Sequence, residues 1–270
     1  MSCAVSDVPE DPAPPAYVPY VPEPATALGP ALNRLGLSAP MHWLKLGWAD
    51  FRREPAIGTF FGTCFTLMGA AVLLVFRQAP IYTLALCAGF LLLGPLLCLG
   101  LYQVSRRLER GEPASLVDAL GAWLPNVGQI AIFGTVLLVL EMLWGRAALV
   151  VFAVSFNGMP DFAGSIMQLL APGNLGFAAA FLGVGAVFAG LIFMICVVAM
   201  PMLLDRDTDA ISAGLASLKL CLTQPLVMLL WGALVTVLVV LAMLPGFVGL
   251  IIVAPWLGHA SWHAYRAALG

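Results

Sequence analysis

Few side chains in this chain can carry charge or hold a ligand, and the most unusual is Glu141. It lies within Leu137-Leu138-Val139-Leu140-Glu141-Met142-Leu143-Trp144, a carboxylate inside an apolar run. Such a group is costly in hydrocarbon and marks a candidate substrate or proton path. Arg146 is the nearest cation in sequence, but at five residues the two do not stack on one helix face. Glu141 and Arg146 are therefore a candidate intramembrane polar site. The competing reading is an outer-leaflet ion pair anchored by Trp144.

The histidines are His42, His259 and His263. His259 and His263 are four apart, which puts both imidazoles on one side of a helix. That geometry offers two ligands to a metal, or with His42 part of a haem environment, but a zinc site takes three or four protein ligands. Against it stands a helix end where Trp262, Tyr265 and Arg266 meet lipid headgroups. Three histidines are too few for a complete haem–copper oxidase core. Asp205, Asp207 and Asp209 could gather a divalent cation, or form a solvated loop with Asp209 capping the next helix. Cys196, Met200 and Met202 are soft donors that would suit Cu(I), or simply core. Six cysteines occur without a CxxC, and those in apolar runs read as packing thiols. No phosphate loop, HExxH, nucleophile elbow or paired-carboxylate motif is present, so a catalytic reading has little support and no cofactor is favoured.

The elements that must position these residues are membrane helices. Apolar residues make up 61% of the chain and charged ones 10%, against about 45–50% and about 25% in soluble domains. About 20 apolar residues cross a bilayer, so 270 residues have room for six spans. The runs are 57–76, 81–102, 128–156, 176–204, 226–244 and 247–264. A net charge of −2 gives no basis for nucleic-acid binding.

The runs group into three two-span units. Amphipathic stretches precede each pair: Leu44, Gly47, Trp48 and Phe51; then Leu116, Ala119, Leu120 and Trp123; then Ile211, Leu215, Leu218 and Leu222. Pro55, Pro125 and Pro225 separate these stretches from the first span of each unit, and Pro95, Pro201 and Pro255 lie late in the second. These late prolines are candidate kinks or gates, or packing bends. Gly183, Gly185 and Gly190 in the fourth run predict close helix packing. Ser115 and Asp118 resemble a capping box. The expected fold is all-α, with six transmembrane helices in three parallel repeats, each led by a cytoplasmic amphipathic helix. Residues 1–38 form a Pro-rich tail expected to be disordered and lacking a signal peptide, and 39–270 form the membrane domain. Lys and Arg place both termini in the cytoplasm, since only Arg77 and Arg146 fall on the other side.

Five segments carry a resemblance: Trp48-Ala49-Asp50-Phe51-Arg52; Gly94-Pro95-Leu96-Leu97; Leu101-Tyr102-Gln103-Val104-Ser105-Arg106-Arg107-Leu108-Glu109-Arg110-Gly111; Pro201-Met202-Leu203-Leu204-Asp205-Arg206; and Gly258-His259-Ala260-Ser261-Trp262-His263-Ala264-Tyr265-Arg266. Over about residues 40–268 the chain resembles the six-span membrane proteins grouped as domain of unknown function 2189. The resemblance implies a bacterial inner-membrane location and the six-span plan, and implies no reaction. The leading expectation is a non-enzymatic scaffold, assembly factor or regulator, with the bilayer and a membrane protein or a second copy as partners. The alternative is a small-molecule or ion transporter with Glu141 in its path. A weaker alternative handles a metal or haem through His259 and His263.

Overall fold

The computed structural model describes residues 31–78, 83–155 and 172–270. Most of the Pro-rich tail, the turn at Ala79-Pro80 and the helical candidate in 157–171 lie outside the described residues. Among the described residues the chain is helical and has no strand. The helices are α1 (Ala39–Arg53), α2 (Pro55–Gln78), α3 (Thr83–Glu109), α4 (Leu116–Leu120), α5 (Val127–Ser155), α6 (Leu175–Cys196), α7 (Ala199–Asp205), α8 (Ala210–Thr223), α9 (Pro225–Met243) and α10 (Leu250–Leu269).

Local sequence explains the boundaries. Pro55 and Pro225 open α2 and α9, where a missing N–H costs nothing. Ser115 accepts from the Asp118 N–H at 3.1 Å, so the expected capping residue does start α4. Asp209 caps α8 through the N–H groups of Ile211 and Ser212 at 3.0 and 2.9 Å. Before Pro201 the helix breaks at Val197-Val198, dividing α6 from α7. Ser217 bridges the break: its hydroxyl donates to the Met194 carbonyl at 2.8 Å and accepts from the Val198 N–H at 3.4 Å. Pro95 and Pro255, by contrast, sit inside unbroken helices. The three late prolines are therefore not equivalent kinks.

Four stretches of the described residues are long and apolar enough to cross a bilayer: Pro55–Gln78, Leu116–Ser155, Leu175–Asp205 and Pro225–Met243. The other two expected spans fall on α3 and α10. α3 runs on past Tyr102 into Arg106, Arg107 and Glu109. The last expected span does not start as helix: residues 244–249 form a turn, with Gly246 and Phe247 at φ 67° and 70°. Two histidines, a serine and Arg266 then lower the apolarity of α10.

α10 is the packing centre. α1 lies beside it in the same direction: the Leu44 carbonyl accepts from Trp256 Nε1 at 2.7 Å, and Asp50 reaches His263. α2 runs the opposite way along it. Close approach holds these seams. A Cβ on Gly47 would stand 2.5 Å from the Ala260 nitrogen, and one on Gly62 would stand 2.0 Å from the Ile251 carbonyl oxygen. In lipid, where apolar burial drives little, such backbone proximity and interhelical hydrogen bonds supply the cohesion. The glycines expected to mark close packing behave differently, since nothing lies within 4 Å of the Cβ positions of Gly183 and Gly190. α6 has no buried residue, and its rings meet those of α5 in the pairs Trp144–Phe181 and Phe152–Phe177.

Two amphipathic stretches present different faces from those expected. The apolar side of α1 packs in part against α10 and α9, with Trp43 edge-on to Trp231 at 5.5 Å, while Trp48 stays exposed. On α8 the aliphatic stripe points outward: Ile211, Leu215 and Leu222 are exposed. Its small face, Ala213, Ala216 and Ser217, is fully buried, because those residues let the helix approach the α6–α7 break.

Candidate functional site

The ends of α3, α7 and α10 converge on one carboxylate. Asp205 Oδ1 is 3.1 Å from Arg106 Nε and 3.9 Å from Arg110 Nη2. Its Oδ2 accepts from Tyr265 Oη at 2.8 Å and lies 3.8 Å from Arg266 Nη1. Arg266 Nε and Trp262 Nε1 each donate to Glu109 at 3.0 Å. Arg206 donates to Tyr265 Oη at 2.9 Å and to the Leu269 carbonyl, tying the last turn of α10 to the start of the α7–α8 loop. Asp205 and Glu109 thus offset part of the positive charge gathered at three helix ends, and the charged groups retain some access to water.

The histidines join the same end of the bundle by separate routes. His259 is fully buried, with Nδ1 2.8 Å from the Ser105 hydroxyl of α3, while its Nε2 has no hydrogen-bond partner among the described residues. His263 Nε2 pairs with Asp50 Oδ2 of α1 at 2.8 Å. His42 is exposed, two helical turns before Asp50 and so about 12 Å along α1. The three imidazoles are not brought together, and among the described residues no cluster of three His, Cys, Asp or Glu could hold a metal. One helix face does not make one site, because neighbouring helices offer His259 and His263 different partners. Asp205, Asp207 and Asp209 are likewise not gathered: Asp205 is drawn into the arginine network, while Asp209 caps α8. Arginine and tyrosine side chains hold Asp205, and the first amides of α8 hold Asp209.

Asp50, Ser105, Glu109 and Tyr265 were not among the residues singled out for chemistry. A signal for Asp50 was available, since it stands at helical spacing from Trp43 and Gly47 on the buried side of α1. Ser105 and Glu109 sit in the polar end of an otherwise apolar helix, but their partners lie on α10, more than 150 residues away. Sequence spacing carries no information about such a pair.

Glu141 is placed very differently. It is 4% exposed, and its Oε2 has no hydrogen-bond partner among the described residues. Arg146 is exposed and makes no ion pair with it there. Five residues turn a helix by about 140° beyond one full turn, which carries the guanidinium to another face. Glu141 lines a cavity of about 560 Å³ between α5, α6, α3 and α9. The rings of Phe65, Phe90, Trp144, Phe188, Phe193 and Trp231 form much of its wall. Cys196 and Met200 border it too, while Met202 is buried in the core, so the three soft donors are not a set. Pro95 lies on the cavity wall; Pro201 and Pro255 are buried away from it. A second cavity, of about 510 Å³, shares Phe65, Phe90, Cys98, Trp144, Val235 and Ser261 with the first and continues to Phe247. The space is apolar, and among the described residues Glu141 is the one acidic side chain on its wall.

No curated protein and no solved structure matches the chain. The resemblance read from the sequence is borne out over the middle of the chain. Residues 83–205, from the start of α3 to the end of α7 and thus including both Glu141 and Asp205, match the family DUF2189, described as predicted integral membrane protein.

Proposed function

We propose that this is a non-enzymatic membrane carrier that binds a small, largely apolar molecule beside Glu141. The observation that carries this reading is the cavity of about 560 Å³ that reaches a buried carboxylate whose Oε2 has no hydrogen-bond partner among the described residues. An intramembrane acid of that kind points to a binding site or pathway, and a cavity of this volume suits a small ligand. The Asp205 network, closing the other end of the bundle, would act as the shut side of the path.

The carrier would have six spans, with α3 and α10 completing the set, and would lie in a bacterial inner membrane with both termini cytoplasmic. Its three units would be parallel repeats. Two junctions support that plan: Glu54 before Pro55 has φ −125° and ψ 61°, and Gln224 before Pro225 has φ −131° and ψ 55°. The outward ridge of Ile211, Leu215 and Leu222 favours a second reading, a scaffold that docks a membrane partner through α8.

A neutral photoprobe, trifluoromethyl-diazirinyl benzyl alcohol, tests the carrier reading on the full chain in phosphatidylcholine nanodiscs. Saturable adducts on the walls of α3, α5 and α6, lost in Ala189→Trp, are the expected outcome. Adducts that never saturate, or that ignore the filled cavity, would remove the binding site and leave the scaffold.

A further inference from the structure

We infer that the molecule taken up beside Glu141 is an organic cation, an amine or ammonium carried on an apolar body; this rests on the carrier reading and specifies its ligand. The first observation is the lone carboxylate. Glu141 is 4% exposed, its Oε2 is unpartnered among the described residues, and Arg146 does not pair with it there. A carboxylate held among apolar groups is stabilised by a cation placed directly against it, and leaving it alone is strongly unfavourable. Among the described residues no Lys, Arg or His lines the cavity, so none of them furnishes that cation from the wall.

The second observation is the kind of wall that surrounds the acid. Phe65, Phe90, Trp144, Phe188, Phe193 and Trp231 present aromatic rings to the same space. A ring face attracts a cation by its quadrupole, most strongly when both are desolvated, and repels an anion. The rings also accept the hydrocarbon part of a ligand. Carboxylate and aromatic wall therefore select in one direction. A neutral lipophile gains only the apolar part, an organic anion meets repulsion from the acid, and a hard inorganic cation finds too few oxygen ligands, since such ions take six or more. The adjoining cavity that runs to Phe247 gives an elongated apolar body room beyond the head group.

Three matched diazirine probes separate these cases on the full chain in phosphatidylcholine nanodiscs at neutral pH: the benzyl alcohol used above, the corresponding benzylamine and the corresponding benzoate. In the wild-type chain the amine should half-saturate at a concentration at least tenfold below the alcohol, and the benzoate should show no saturable labelling. Glu141→Gln should reduce the amine's advantage over the alcohol to less than twofold. Glu141→Asp, which keeps the charge, should retain most of the amine's advantage. Equal half-saturation by amine and alcohol, or an amine advantage that survives Glu141→Gln, overturns the cation assignment while the cavity stands. Failure of all three probes to label saturably, with acyl chains holding the space, overturns the cavity and the assignment together.

Discussion

Asp205 and Glu141 are both carboxylates within a mostly apolar protein, and they are held in opposite ways. Asp205 gathers Arg106, Tyr265 and Arg266 from two other helices, with Arg110 at 3.9 Å, so its charge fixes where three helix ends meet. Glu141 lies on α5 about 21 Å from the helix start, and its Oε2 meets no donor among the described residues. The first carboxylate is explained by the fold. The second is a cost to the fold that no partner of its Oε2 offsets among the described residues.

The sharpest way to break this contrast is to remove each charge in turn. Asp205→Asn leaves partly buried guanidiniums with too little counter-charge. Removing one partner of a buried pair costs about 3–5 kcal/mol, and residual water access at Asp205 and Arg106, with side-chain exposures of 10% and 22%, brings the expected loss to about 3 kcal/mol. Glu141→Gln should leave stability unchanged or raise it, because no counter-charge is stranded. Unfolding of both variants in the same detergent is the measurement, and equal losses would erase the distinction between the two sites.

A second comparison sets the α2–α10 seam against α6. Gly62→Ala pushes a methyl into the Ile251 backbone, which has no rotamer by which to yield. A loss of about 1–3 kcal/mol is expected from overpacking. Gly190→Ala meets nothing within 4 Å and removes the helix penalty of glycine, for a gain of up to about 1 kcal/mol. A thermal shift of the same sign in both variants would show that α6 is as tightly held as the seam.

These two regions were not equally legible in the sequence. The helical class and the caps at Ser115 and Asp209 follow from composition and local chemistry, and the structure has them. Glu141 stood out because a charge in an apolar run is conspicuous by itself. The Asp205 network did not, because its members are ordinary residues near helix ends until α3, α7 and α10 meet. The α8 stripe misled for a related reason: leucine spacing defines a face but not which side of it faces protein. In lipid the outward side can be the more apolar one, and alanine and serine were the packing face. The i,i+4 histidines promised a shared site, and neighbouring α1 and α3 separated them.

Within the polar end, Ser105 and Thr59 offer a smaller test. Ser105 is fully buried and holds His259, whereas Thr59 bonds only to the carbonyls of its own helix at Pro55 and Ala56. Ser105→Ala should cost about 1 kcal/mol through the lost buried hydrogen bond. Thr59→Ala should change stability by less than about 0.5 kcal/mol. Chemical denaturation in detergent distinguishes them, and an equal response would mean that the His259 bond contributes nothing to cohesion.

The smallest effect expected is a pH dependence confined to α8. The Ser212 side chain, then the Ser212 and Ile211 amides, hold the Asp209 carboxyl below its ordinary range by hydrogen-bonding its charged form. A carboxyl depressed by folding adds stability that is complete above its unfolded pKa and fades as pH falls through the folded one. The first turn of α8 should therefore loosen in acid, below the usual carboxylate range, and remain unaffected between pH 6 and 8. Asp209→Asn keeps an oxygen for capping and has no charge to lose, so its amide exchange at Ile211 and Ser212 should lack that acid-dependent step. Hydrogen exchange resolved at these two amides reads the local event even though Asp209 is almost fully solvated. A step that persists in Asp209→Asn would assign the acid sensitivity to another group.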